Sequence, residues 1–181
     1  MSKMLFGFIV LIVALIFSVA AYYGGFKKID LSIDVQGGEL LIFKSKTGDY
    51  KNSGKVMDEI YESLIKDFDI TSYKGFGTYY DNPREVKREL LRYDAGCIIG
   101  KQDSSTIIKL KERFEVAECP KKRYLIAEFP YKGKISVIMG VIKVYPAITK
   151  YLSNQGLPLN GSVMEIYDIP CKKIIYRKEL N

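Results

Sequence analysis

The chain has 181 residues, about one ordinary domain plus a short appendage, and its 28 Lys and Arg against 21 Asp and Glu give a formal charge of +7. It contains neither histidine nor tryptophan. The missing imidazole excludes a serine–histidine or cysteine–histidine dyad, a histidine-containing zinc or iron site and an imidazole proton shuttle, while an apolar share of 48% suffices for a core.

The run from Met4 to Tyr23, MLFGFIVLIVALIFSVAAYY, carries no charge. Its length matches a helix crossing a hydrocarbon core of about 30 Å. A cleaved signal peptide has a shorter apolar region and a small-x-small exit, which Ser18-Val19-Ala20 would supply. The run instead continues to Tyr22 and Tyr23, and paired tyrosines suit a membrane interface. Residues 1–25 are therefore read as an uncleaved single-pass transmembrane anchor.

Lys3 and the α-amino group before the span nearly balance Lys27 and Lys28 after it, so charge leaves the orientation open. Cys97, Cys119 and Cys171 are odd in number, widely spaced and form no C-x-x-C pair. They read as free thiols of a reducing compartment, which places the domain on the cytosolic side. Asn160-Gly161-Ser162 is a glycosylation acceptor if that face were lumenal.

Residues 26–38 contain glycine, show weak patterning and read as a linker to a domain over 39–181. Glu39 to Ser45 is a short apolar strand, and Lys46 to Ser53 is turn chemistry ending in a cap residue. Val56, Ile60, Leu64 and Phe68 recur every four residues, so Lys55 to Asp69 is an amphipathic helix. Strands follow at Lys74 to Tyr80 and Leu90 to Gly100, around the turn Asp81-Asn82-Pro83. A short polar helix near Ser104 to Arg113 and a strand near Phe114 to Glu118 connect to a second pass.

That pass comprises a strand at Arg123 to Phe129, a helical region at Lys134 to Asn154, and closing strands at Ser162 to Asp168 and Lys173 to Lys178. Ile135 to Val144 is rich in β-branched residues and could alone be a buried strand. The spacing of Ile135, Ile138, Ile142, Tyr145 and Thr149 favours one helix kinked near Pro146. The expected class is α+β: a transmembrane helix, then a duplicated strand-helix-strand-strand domain with an antiparallel sheet and two helices.

Three segments carry a resemblance. They are Thr78-Tyr79-Tyr80-Asp81-Asn82-Pro83 with Ala95-Gly96-Cys97-Ile98-Ile99-Gly100; Phe129-Pro130-Tyr131 with Tyr145-Pro146-Ala147 and Tyr151; and Met164-Glu165-Ile166-Tyr167. Together they resemble the testis-expressed reticulophagy-receptor family, whose soluble part is a gyrase-inhibitor-like (GyrI-like) domain. The resemblance implies two halves with a groove between them that binds small molecules. A groove-facing strand glutamate is typical there, and Glu165 holds that place. Some superfamily members use such a glutamate with aromatic residues to hydrolyse electrophilic compounds. Members anchored in the endoplasmic reticulum act as adaptors through a long acidic tail with an aromatic-x-x-aliphatic motif. This sequence ends at Asn181, just after the last strand, so the resemblance is expected to extend to the binding domain and its anchor. Tyr61-Glu62-Ser63-Leu64 and Tyr145-Pro146-Ala147-Ile148 fit the bare motif but lie on helices.

On a strand alternate residues share a face, so Val163, Glu165 and Tyr167 point one way and Met164, Ile166 and Asp168 the other. Glu165 and Tyr167, with Tyr80, Phe129 and Tyr131, make the candidate ligand site for a small aromatic or cationic molecule. Aromatic faces contribute roughly 0.5–2 kcal/mol each by cation–π contact. The competing reading leaves Glu165 solvated on an open sheet face. The other tyrosines read mostly as sheet packing. The basic clusters Lys121-Lys122-Arg123 and Lys172-Lys173 with Arg177-Lys178 read as solvated edges or as contacts to anionic lipid. The expected partners are the membrane, a small ligand and a protein, with no nucleic acid, no metal and no cofactor. The functional expectation is a membrane-held binding module, with a Glu165 hydrolase as the alternative and a scaffold whose groove is filled by its own side chains as a third possibility.

Overall fold

The computed structural model describes residues 2–180. Its elements are α1 (Ser2–Tyr22), β1 (Leu31–Gln36), β2 (Leu40–Thr47), α2 (Ser53–Phe68), β3 (Lys74–Tyr79), β4 (Arg92–Ile99), α3 (Ser104–Lys111), β5 (Glu115–Glu118), β6 (Lys122–Pro130), α4 (Lys134–Asn154), β7 (Val163–Asp168) and β8 (Lys173–Glu179). The class is α+β with an antiparallel sheet and four helices.

The three helices after α1 form where the sequence supplies inward-facing residues and an end. In α2 the stripe is Val56, Ile60 and Leu64, and the helix stops where Asp69 turns left-handed. Asp103 caps α3 by accepting the Thr106 N–H at 2.9 Å. In α4 Ser136, Gly140, Val144, Ile148 and Leu152 face inward at every fourth position, and the helix runs unbroken through Pro146. The domain thus has three helices rather than two, since α3 buries Leu110 in the core beneath α2.

The eight strands form one sheet in the order β1-β6-β8-β7-β3-β4-β2-β5, with every neighbouring pair antiparallel. The two halves, β2-α2-β3-β4 and β6-α4-β7-β8, meet where β3 pairs with β7. The expected linker over 26–38 is corrected here, because Leu31–Gln36 is an edge strand pairing with β6 from Leu31↔Ala127 to Gln36↔Lys122. An edge strand held by backbone hydrogen bonds needs little apolar burial, and Ile33 and Val35 stay exposed. Its pattern is weak for that reason.

β1 and β5 exchange places. Each strand leads directly into one half yet pairs with the first strand of the other, β1 with β6 and β5 with β2. Only residues 37–39 join β1 to β2, a reach of at most about 15 Å. A flat sheet would put those strands six spacings, about 29 Å, apart. The sheet must therefore curl, which brings the two connections beside its edge strands together. The two crossing connections are laced by Gly38 N–H to the Cys119 carbonyl at 2.6 Å and Cys119 N–H to the Glu39 carbonyl at 2.8 Å. Gly37, at φ +121°, is needed there: a Cβ would lie 2.2 Å from the Pro120 carbonyl oxygen.

Three cores follow from this shape. One lies under α2 around Ile42, Ile60 and Leu64, and one under α4 around Leu125, Phe129 and Val144. The third is on the inner face of the curl and includes Phe76, Ile126, Met164 and Ile166. The curl also corrects the reading of the second basic cluster. β8 is an interior strand, so Arg177 is buried against Glu39 at 2.7 Å and Lys178 is buried with its ammonium donating to the Asn160 carbonyl. Burial holds Lys178 below the usual lysine range.

Candidate functional site

The alternation of β7 sorts its residues between cores. Val163 and Tyr167 join the core under α4, while Met164 and Ile166 join the inner one. Glu165 therefore faces the helices at the junction of the two halves, with Gly77 of β3 opposite on one side and Tyr176 of β8 opposite on the other. It is only 2% exposed. The open-face alternative is thereby corrected: the side chain is enclosed.

Two tyrosines hold the carboxylate. Tyr145 Oη of α4 donates to Oε1 at 2.8 Å, and Tyr167 Oη donates to Oε2 at 2.6 Å. No salt bridge reaches Glu165 among the described residues. Burial pushes its pKa up, against the smaller opposing effect of the tyrosine hydroxyls. Burial first, and then the Glu165 charge, push Tyr145 and Tyr167 well above the ordinary tyrosine range, so both remain donors. Tyr79 of β3 is raised by the same two causes, and its hydroxyl shares a hydrogen bond with Ser53 Oγ of α2 at 2.9 Å. Tyr131 meets Tyr167 edge-on at 6.0 Å, and Tyr145 meets Tyr176 likewise at 6.0 Å.

Missing side chains shape the cluster as much as present ones. A Cβ on Gly77 would lie 2.6 Å from Tyr79 Oη, and one on Gly140 would lie 2.2 Å from Tyr176 Oη. The two glycines let the rings close over Glu165. The buried Tyr176 hydroxyl itself has no hydrogen-bond partner among the described residues. The groove expected beside Glu165 is thus filled by tyrosine rings. Surface clefts of about 450 Å³, beside Tyr151 and Leu157, and 320 Å³, beside Ser32 and Glu128, include none of this cluster.

Of the five expected site residues, the structure brings Glu165, Tyr167 and Tyr131 together. Phe129 is fully buried packing in the core under α4. Tyr80 lies just beyond β3 and donates to the Asp94 carboxylate, so it is not brought to Glu165. The residues that sequence reasoning missed are Tyr79, Tyr145 and Tyr176. Strand parity groups Gly75, Gly77 and Tyr79 on one face of β3, and the pairing with β7 sets that face against Tyr167, Glu165 and Val163. No cluster of cysteine and carboxylate side chains suited to a metal ion occurs among the described residues. Burial pushes the Cys97 thiol up to about 12, which leaves it a poor nucleophile.

The model of a family described as the GyrI-like small molecule binding domain matches residues 38–178. The chain is 28% identical over 131 residues to the Testis-expressed protein 264 homolog of Mus musculus, covering 69% of this chain and 40% of that protein. It therefore spans about two fifths of that relative's length. Its fold is similar to that of EcmrR in a DNA complex, with TM-score 0.59 and 13% identity over 99% of this chain and 69% of that one. It is also similar to SAV2435 bound to tetraphenylphosphonium, with TM-score 0.58 and 11% identity over 84% of this chain and 94% of that one. At such identities these two likenesses concern the fold alone.

Proposed function

This chain belongs to the GyrI-like small-molecule-binding family, and from that premise we propose that it is a membrane-anchored receptor for a lipophilic aromatic cation, with Glu165 as the floor of the site. The observation that carries this reading is a fully enclosed carboxylate whose partners are two neutral hydroxyls. A buried ionised acid without a counter-charge is costly, and a guest cation supplies that charge. Tyr79, Tyr131, Tyr145, Tyr167 and Tyr176 supply aromatic surface for a delocalised cation. Entry requires Tyr145 to release Glu165, so α4 is the element that yields. The tetraphenylphosphonium held by SAV2435 is the natural first probe.

In this reading α1 is a single-pass anchor. Its 21 residues give a helix of about 31 Å, and none of Lys3–Tyr22 is buried. The domain lies on the cytosolic side, where its free cysteines stay reduced.

The test is calorimetric titration of the full chain in detergent micelles with tetraphenylphosphonium. Wild type binds, and Glu165→Gln weakens binding at least about tenfold, equivalent to about 1.4 kcal/mol. Affinity rises with pH through the raised Glu165 pKa, because the guest competes with the proton. Equal affinities in the two proteins would remove the carboxylate from the site.

A further inference from the structure

Resting on the reading of α1 as an anchor, we infer that the outward face of the first half of α4 lies in the surface of the same membrane, at the headgroup–acyl boundary of an anionic bilayer. α4 is apolar on both sides. Its inward stripe packs on the sheet, while Ile135, Ile138 and Ile142 on the opposite side are 45%, 59% and 61% exposed. At 100° per residue these three fall within an arc of about 60°. A helix apolar all round belongs either in a core or against lipid, and among the described residues the outer stripe stays exposed.

Three observations favour lipid over any other cover. First, α1 ends against this part of α4: Lys143 Nζ donates to the Gly25 carbonyl at 2.5 Å, and a Cβ on Gly25 would lie 2.9 Å from Met139 Cε. Lys132 Nζ, just before α4, donates to the Tyr22 carbonyl at 2.9 Å and sits 4.1 Å over the Tyr22 ring. Second, Met139 is about 40° from Ile135 on the helical wheel, so the end of the anchor adjoins the exposed stripe. A chain leaving a bilayer at Tyr22 and Tyr23 then carries the stripe at headgroup depth. Third, α4 has Lys134, Lys143 and Lys150 and no acidic residue, and Lys27 and Lys28 follow the anchor. That charge suits anionic headgroups. Because Tyr145, on the same helix, holds Glu165, the element that must yield to a ligand is also the one in contact with lipid.

The absence of tryptophan makes the test clean, since one introduced indole is the sole such reporter. Three variants of the full chain, Leu11→Trp in α1, Ile138→Trp in α4 and Ile108→Trp in α3, are reconstituted in vesicles of phosphatidylcholine and phosphatidylserine. All three sites are exposed, so each variant is expected to unfold as wild type does. Lipids brominated on their chains quench the indole at 11 and at 138, the latter about 5–10 Å into the boundary, while the one at 108 is quenched by aqueous iodide alone. Quenching at 11 with the indole at 138 behaving like that at 108 overturns the inference and leaves the anchor standing. An indole at 138 shielded from iodide yet untouched by brominated lipid also overturns it, in favour of a second protein copy. No lipid quenching at 11 takes down the anchor and this inference together.

Discussion

α2 and α4 cover the two halves of one sheet and differ on both of their faces. Inward, α2 presents Ser53 and then Val56, Ile60 and Leu64, whereas α4 presents Ser136 and Gly140 before Val144, Ile148 and Leu152. Outward, α2 carries Lys55, Asp58, Glu59, Glu62 and Lys66 beside the exposed Tyr61 and Ile65, with Lys66 paired to Glu62 at 3.0 Å, whereas α4 carries Ile135, Ile138 and Ile142. The strands beneath show the same asymmetry, since Gly75 and Gly77 of β3 stand opposite Tyr167 and Glu165 of β7. A duplicated fold requires from each helix only that one face fits the sheet. The first half meets that requirement with ordinary apolar packing and lends space at the junction. The second half brings its helix close over small residues, and there it carries the carboxylate and its hydroxyl donors.

The largest effect that separates the two helices is in packing. Leu64→Ala, in the core under α2, should cost about 2–5 kcal/mol in urea unfolding of the detergent-solubilised chain. Ile142→Ala, on the outer face of α4, should stay within about 0.5 kcal/mol. Comparable losses at both positions would mean that α4 buries its outer face within the chain, and the contrast would break.

A smaller effect tests the close approach of α4. By helix propensity alone, Gly140→Ala should stabilise by about 1 kcal/mol. The new Cβ would lie 2.2 Å from the hydroxyl of Tyr176, a fully buried ring, and 3.3 Å from Phe129 Cδ1. The clash wins, and a net loss of about 1–3 kcal/mol is expected. Tyr176→Phe removes the clashing atom together with a buried hydroxyl that has no partner, so the double variant should recover most of that loss. Additive losses in this cycle would show that Gly140 and Tyr176 do not meet.

These contrasts also show what could be read locally. The period of α4 gave its span, Lys134–Asn154, and the alternation of β7 placed Glu165 beside Tyr167. β1 escaped notice because its stability comes from pairing with β6, about 90 residues away in the chain. The exchange of β1 and β5 is a property of the curled sheet and leaves no local mark. The sequence does not separate Tyr79 from Tyr80, because the facing of β3 depends on its register with β7, which period-2 alternation on one strand leaves undetermined. Tyr145 was legible only as part of a helix. Its reach to Glu165 depends on how closely Gly140 lets that helix approach.

The smallest effect concerns the charge itself. Burial raises the Glu165 pKa in the folded chain above its value in the unfolded one. The folded state therefore binds the proton more tightly. The stability this confers is complete below the unfolded glutamate range and is lost as pH rises through the folded pKa. Tyr79, Tyr145, Tyr167 and Tyr176 face the same group, and all are raised above the ordinary tyrosine range, so they stay neutral throughout that window. Glu165→Gln keeps an acceptor for one tyrosine hydroxyl and cannot ionise. Its unfolding free energy should match wild type in acid and exceed it near neutrality, with the gap opening as Glu165 ionises. The same pair of proteins with a change confined to α2, such as Leu64→Ala, should show a difference that does not vary with pH. Unfolding curves measured from acid to neutral pH decide the matter: parallel profiles for wild type and Glu165→Gln would mean that the carboxylate is solvated, and the chemical distinction between the two halves would be gone.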